Sequence, residues 1–326
     1  MLLAADVGGT KILVGLFEPG ERRPRAIATQ HYPAADFTSF RDVADAFRRA
    51  VGPTPSILAA TLGIAGPVQG ERATLTNRPL VVSASDTVAS FGVRAGLLND
   101  LEALAHSVEI LHDDELAVLQ AGTPRPDGHA ALIAAGTGLG QAFLHRVGER
   151  LIPAPSEGGH ADFAARGDRE HELARHLRTR LGRAEVEQVL SGPGLVNLHR
   201  FTHNGRDCAA TAATEPDGRA AGISSAGLAG TCPGCVEALD LFVSAYGAEA
   251  GNLALRGLAT AGLFVGGGIA PRILPALVDG RFMTAFREKA PMGALLASIP
   301  VKVILTPGAG LLGAAVHAQR LVSGSG

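Results

Sequence analysis

The sequence predicts an α/β protein made of two related halves facing one cleft. Three observations carry this. Apolar strand-like runs alternate with amphipathic helical stretches. A strand–glycine turn–strand unit occurs twice, once through Gly8 and Gly9 and again through Gly136 to Gly140. Later apolar runs also end in glycine clusters, at Gly266–Gly268 and Gly308–Gly310. In such folds ligands sit at the carboxyl ends of strands, between the lobes.

Taken in order, Leu2–Ala5 and Ile12–Phe17 are apolar runs flanking the turn Asp6–Lys11, a hairpin signature. Over 36–51, Phe40, Val43, Ala44, Phe47 and Ala50 recur at spacings of three and four, which predicts a helix. Ile57–Ile64 reads as a buried strand. Gly96–Leu98 is a short strand running into Asn99-Asp100, and Leu101–Leu111 is helical. Ala130–Ala135 and Gln141–Val147 flank the second glycine turn. Helices are expected over 169–181, 192–203 and 236–255. Strands follow at 262–265 and 301–305, with a closing helix at 311–321. Segment 206–234, rich in Ala, Thr, Gly and Ser, reads as loop.

Composition narrows the function. Charged residues are 18% of the chain and hydrophobic residues 46%, which excludes a disordered chain. A net charge of −2 lacks the basic excess that binding a phosphate backbone requires, so no nucleic-acid partner is expected. Three cysteines exclude a disulfide framework and suit a reducing compartment. Asp6 comes too early for a secretory signal, and glycines and prolines break the uncharged runs, so a cytoplasmic protein without a membrane partner is expected.

The chemistry lies in the glycine turns and a few acids. Gly8, Gly9 and Thr10 place a tight turn where backbone N–H groups can cradle phosphate oxygens, and Asp6 would face the magnesium that travels with a nucleoside triphosphate. The turn joins two strands and lacks the Walker frame. A plain Gly-Gly hairpin is the competing reading. The second turn, at Gly136, Thr137 and Gly138, favours a phosphate tail held from two sides. Gly266, Gly267 and Gly268 could admit a ribose or adenine close to the backbone, or simply connect strand to helix. Asn99-Asp-Leu-Glu102 has capping-box spacing, so Asn99 as helix cap and Asp100 as first-turn acid explain it structurally. The alternative is Asp100 as the base for a sugar hydroxyl. Glu157-Gly-Gly-His160 sits where two glycines cost a helix about 2 kcal/mol, hence on a loop, and Glu with His supplies the donors and acceptors a polyol needs. Cys232-Pro-Gly-Cys235 leaves zinc open. Four ligands would be needed, with Cys208 and His203 the further candidates, against a free-thiol loop.

These motifs together carry a resemblance. Asp6-Val-Gly-Gly-Thr10, Leu98-Asn-Asp100, Gly136-Thr-Gly-Leu-Gly140, Glu157-Gly-Gly-His160-Ala-Asp-Phe163, Leu190-Ser-Gly-Pro-Gly-Leu-Val-Asn-Leu198, Gly251-Asn-Leu-Ala-Leu255, Gly266-Gly-Gly-Ile269 and Gly310-Leu-Leu-Gly313 resemble the bacterial ATP-dependent glucokinase family, from residue 1 to about 320 and in order. The resemblance implies a two-lobed actin-like ATPase fold, a duplicated ribonuclease H-like architecture. It implies a small domain over 1–110 completed by the helix 311–322, and a large domain over 111–310. It implies ATP, Mg2+ and glucose as reactants, glucose 6-phosphate as product in glycolysis, and a homodimer. Asp100 becomes the general base on the 6-hydroxyl. Asn99, Asp100, Glu157, His160 and Glu187 become sugar ligands, and the three glycine turns with Asp6 and Thr10 the nucleotide site. Two departures stand out. Asn77-Arg-Pro-Leu80 replaces the family's common Asn-His-Xaa-Trp, and Lys11 is closer to the related repressor/open-reading-frame/kinase sugar kinases. The alternatives are a kinase for another hexose or an N-acetylhexosamine, and a sugar-sensing transcription regulator, which would need a helix-turn-helix ahead of the first hairpin.

Overall fold

The computed structural model describes all residues except 54, 67, 76–80, 213, 214, 216, 217, 325 and 326. Asn77-Arg-Pro-Leu80 therefore lies outside the described residues. The chain forms two compact units. One comprises Met1–His112, Leu151–Pro155 and Thr306–Gly326, the other Asp113–Arg150 and Ser156–Leu305.

In the first unit, β1 (Leu2–Val7), β2 (Lys11–Glu18), β3 (Arg25–Pro33) and β4 (Ala59–Ile64) precede a small sheet of β5 (Val68–Gln69), β6 (Arg72–Thr74) and β7 (Val81–Ser83), and then β8 (Arg94–Asn99). The main sheet has the order β3-β2-β1-β4-β8. β1 pairs antiparallel with β2 and parallel with β4, and β4 parallel with β8. β1 and β4 are buried along nearly their whole length, as continuous apolar runs covered on both faces should be. The helices are α1 (Phe40–Val51), α2 (Ala84–Phe91), α3 (Asp100–Ser107) and the C-terminal helix Ala309–Val322. α1 starts four residues later than the periodicity from 36 predicts. Ser39 caps it by accepting from Asp42 N–H, while Phe37 is extended. α3 also ends earlier than expected, passing into a 3₁₀ turn at Val108–Ile110.

The second unit holds β9 (Leu116–Gln120), β10 (Ala130–Ala135) and β11 (Leu139–Val147). β12 (Arg150–Ser156) straddles the division between units, and β13 (Gly262–Gly266) and β14 (Val301–Ile304) follow. Within this unit the strand order is β11-β10-β13-β14-β9. Helices α4 (Gly167–Leu181), α5 (Gly192–Thr202), α6 (Ala209–Ala212), α7 (Arg219–Leu228) and α8 (Pro233–Arg256) precede three short helices. α8 is the core element, burying Phe242 and Tyr246 among Phe282 and Phe286.

The loop expected over 206–234 is a correction: α6 and α7 occupy much of it. Its small residues are there for packing, since a Cβ on Gly227 would lie 2.8 Å from Cys235 O and 3.0 Å from Leu239 Cβ of α8. Composition alone read those residues as turn formers. Strands β3, β9 and β12 had no expectation, and β3 is an edge strand with mostly exposed residues. Among the described residues no single helix is long and apolar enough to cross a membrane.

Candidate active site

In the first unit, three parallel strands end in register. Asp6 pairs across to Gly63 of β4, and Gly63 to Leu98 of β8. One step on, Val7, Ile64 and Asn99 form the last row. Asp100 opens α3 directly after that row, so Asp6 and Asp100 both stand at the carboxyl end of the sheet. Glycines let the helices close in. A Cβ on Gly63 would lie 2.7 Å from Ala103 Cβ of α3. On the C-terminal helix a Cβ at Gly313 would lie 1.7 Å from Ala103 O, and one at Gly310 would lie 3.1 Å from Asp6 Oδ2. The Gly310-Leu-Leu-Gly313 motif is thus a packing device that seats this helix on α3 and on Asp6.

Asn99 does what its capping spacing predicts. Its Oδ1 accepts from Leu101 N–H at 3.0 Å, and its Nδ2 donates to Gly66 O at 3.2 Å. Leu101 N–H also donates to Asp100 Oδ1 at 2.8 Å, which orients that carboxylate. Burial, and next the Asp100 charge, push the Asp6 carboxyl up to about 6, with Lys11 opposing. The first turn is closed by Gly8 N–H donating to Lys11 O at 3.0 Å, while Thr10 is exposed.

In the second unit the other turn is closed more tightly, Gly136 N–H donating to Gly138 O two residues on, at 2.8 Å. Both turns thus use their first amide internally. Glu187 is tied to this turn: its Oε2 accepts from Leu139 N–H at 2.8 Å, and a Cβ on Gly138 would lie 2.6 Å from that oxygen. After β13, Gly267 has φ +82°, and a Cβ there would lie 2.3 Å from Ala135 O. Around Gly136 and Gly268, by contrast, a Cβ would meet nothing within 4 Å. Beneath the strand ends, the buried Tyr246 hydroxyl accepts from Ala135 N–H at 3.2 Å. A 3₁₀ turn, Ala270–Ile273, follows the glycines before the next helix.

Glu157 and His160 bracket a single 3₁₀ turn, Gly158–His160, with His160 N–H donating to Glu157 O at 3.0 Å. Both side chains are on exposed residues. The glycines between them are forced: a Cβ would lie 2.4 Å from Gln141 Oε1 at Gly158 and 2.2 Å from Leu139 O at Gly159. Glu187 N–H donates to Gly159 O at 2.8 Å, so Glu157, His160 and Glu187 are brought into one neighbourhood by main chain. Three partners were missed from sequence. Glu185 Oε2 lies 3.4 Å from His160 Nδ1, and the buried Gln141 beneath Gly158 donates to Glu249 at 3.0 Å. No spacing ties Glu185 or Glu249 to the motifs. Gln141 directly follows the Gly136–Gly140 turn, which was the available signal.

The sequence model of the family described as Glucokinase matches residues 3–321. The glucokinase of Nostoc punctiforme is 37% identical over 345 residues, covering 98% of this chain and 99% of the relative. That of Mesorhizobium japonicum is 38% identical, covering 98% and 92%. The crystal structure of a glucokinase from an Antarctic psychrotroph superposes with a TM-score of 0.85 at 30% identity, covering 98% of each chain. A ROK-family glucokinase from Streptomyces griseus, in complex with glucose and AMPPNP, shares the fold at TM-score 0.66 and 23% identity, covering 98% and 99%. The fold is therefore the duplicated α/β, actin-like ATPase architecture of these sugar kinases, and the chain belongs to the glucokinase family.

Proposed function

We propose that this glucokinase transfers the γ-phosphoryl group of ATP to the 6-hydroxyl of glucose with Asp100 as general base. One observation carries the assignment: Asp100 stands near Asp6 at the carboxyl ends of three parallel strands, its carboxylate oriented by Leu101 N–H. Asp100 accepts the hydroxyl proton as the sugar oxygen bonds to the γ-phosphorus. The bond from that phosphorus to the bridging oxygen breaks, and ADP leaves. The protein's part in phosphoryl transfer is chiefly positioning and charge stabilisation.

Asn99, Glu157, His160 and Glu187 bind the sugar hydroxyls. Glu185 orients His160, and Glu187 also fixes the glycine turn it touches. Gly9, Thr10, Thr137 and Gly138 hold phosphate oxygens, and Gly8 and Gly136 shape those turns. Gly266, Gly267 and Gly268 receive the nucleoside, with Gly268 as the open face. Mg2+ fits Asp6: two hard carboxylates, Asp6 and Asp100, repel each other with Lys11 as the opposing charge. When bound, Mg2+ neutralises phosphate oxygens. The family resemblance also supports a cytoplasmic homodimer acting without nucleic-acid or membrane partners, which sedimentation and cell fractionation would test.

A coupled kinase assay over glucose, mannose, fructose and N-acetylated hexosamines tests the substrate. A sugar lacking a partner hydroxyl covers a polar side chain without pairing it, at about 1–3 kcal/mol each, so glucose should lead by about tenfold or more in kcat/KM. Equal efficiency on an N-acetylhexosamine would overturn the glucose assignment.

A further inference from the structure

Away from the residues assigned to glucose and ATP, the second unit gathers two histidines and three cysteines in one place. His199 and His203 lie one turn apart at the end of α5, their rings stacked with centroids 3.8 Å apart and planes 24° apart. Their Nε2 atoms meet sulfur: His199 Nε2 lies 3.2 Å from Cys208 Sγ, and His203 Nε2 lies 3.2 Å from Cys232 Sγ. Cys208 Sγ lies 3.7 Å from Cys235 Sγ. The ligand atoms of His199, His203, Cys208 and Cys235 all fall within 4.8 Å of one another. We propose that these four side chains form a structural zinc site that staples α5, the segment before α6 and the first turn of α8, with Cys232 a neighbour of His203 rather than a ligand.

The geometry agrees with the ion. Tetrahedral zinc with Zn–S of about 2.3 Å and Zn–N of about 2.0–2.1 Å sets its ligands about 3.8 Å apart for S···S and about 3.6 Å for N···S. The Cys208–Cys235 edge is 3.7 Å and the His199–Cys208 edge 3.2 Å, close to these values, and all four ligand atoms lie within 4.8 Å of one another. The imidazole of His203 is also set up for ligation. Its Nδ1 lies 2.9 Å from the carbonyl of His199, so an N–H there donates to that oxygen and leaves the Nε2 lone pair toward the sulfurs. Two of the four residues, His199 and Cys235, are almost wholly buried. The seat over His203 requires a glycine, because a Cβ on Gly234 would lie 2.5 Å from His203 Cε1 and 2.8 Å from its Nε2. A disulfide between Cys208 and Cys235 would explain neither the stacked imidazoles nor their convergence on sulfur. From sequence, Cys208 and His203 were the further candidates beside the Cys232/Cys235 pair. His199 became visible only when α5 placed it one turn before His203.

The test is metal analysis of untagged protein produced with zinc in the medium and purified under reducing conditions. The expected content is about one zinc per chain. After chelation, Co2+ added to the wild-type protein should produce tetrahedral d–d bands and thiolate-to-metal charge transfer, a readout that needs no variant to fold. Cys208→Ser and Cys235→Ser should each abolish the charge-transfer signature of two thiolates, and Cys232→Ser should retain it. Zinc below about one-tenth per chain together with no Co2+ bands would overturn the site. So would a Cys208–Cys235 disulfide found by peptide mapping of the metal-free protein. Loss of the signature in Cys232→Ser would overturn the ligand assignment.

Discussion

Adjacent glycines at the end of β13 should respond in opposite ways to the same methyl group. Gly267 has φ +82°, a conformation that costs an alanine about 1–2 kcal/mol. Its Cβ would also lie 2.3 Å from Ala135 O. That backbone cannot retreat easily, because Ala135 N–H is held by Tyr246 and its carbonyl accepts from Ile269 N–H. Overpacking adds about 1–3 kcal/mol, so Gly267→Ala should destabilise the protein by about 2–5 kcal/mol with or without ligand. At Gly268 a Cβ meets nothing within 4 Å, and Gly268→Ala should shift stability by less than about 0.5 kcal/mol. Its methyl would occupy the face proposed for the nucleoside. A loss of about 1.4 kcal/mol there raises the KM for ATP about tenfold and leaves the KM for glucose nearly unchanged. Denaturant melts without nucleotide, paired with ATP titrations of the initial rate, separate the two roles. Gly268→Ala with a KM for ATP within about twofold of the parent would refute the nucleotide role of this turn. Gly267→Ala with unchanged stability would refute the packing argument.

Other expectations follow from the first unit. Burial, with Asp100, raises Asp6 from 3.8 to about 6, so its ionised form is held at a cost near neutrality; Asp6→Asn should stabilise the protein by about 1–3 kcal/mol at pH 7 while sharply reducing turnover, and lower stability with full activity would contradict this. Burial, with neighbouring charge, lowers His106 to about 3 and His317 to about 4, so between pH 6.5 and 4 the unfolded chain binds protons that the folded chain refuses. From pH 7 to 5 each of these histidines costs about 2 kcal/mol and Asp6 returns about 1, so His317→Gln should lessen the acid-induced loss of stability by about 2 kcal/mol in denaturant melts. Gly313→Ala, whose Cβ would lie 1.7 Å from Ala103 O, should destabilise the first unit by about 3 kcal/mol or more, and a variant melting like the parent would show that α3 yields easily.

The parts legible in sequence were those that local chemistry fixes. The two hairpins are announced by apolar runs around glycines, and the Asn99 cap by its spacing. The identity of the chain came from motifs in order, chiefly Glu157-Gly-Gly-His160 and Leu190–Leu198. What stayed hidden depends on distant partners. The glycines of Gly310-Leu-Leu-Gly313 and of Gly158-Gly159 read as motif marks, but their reason is contact with Asp6, α3 and β11. Helix α7 reads as loop because its glycines and serines lower local helix propensity, which packing on α8 offsets. Glu185 had no signal, because only the fold brings it to His160.

The central claim is that Asp100 is the base, and Asp100→Asn tests it most directly. The substitution keeps size and an oxygen that can accept from Leu101 N–H, but not the capacity to take a proton. kcat should fall about 10²–10⁴-fold, while the KM for glucose changes far less because Asn99, Glu157, His160 and Glu187 remain. A thermal melt close to the parent's would assign that loss to chemistry rather than to folding. A folded Asp100→Asn enzyme turning over glucose within about threefold of the parent would contradict the mechanism and leave Asp100 a first-turn helix acid.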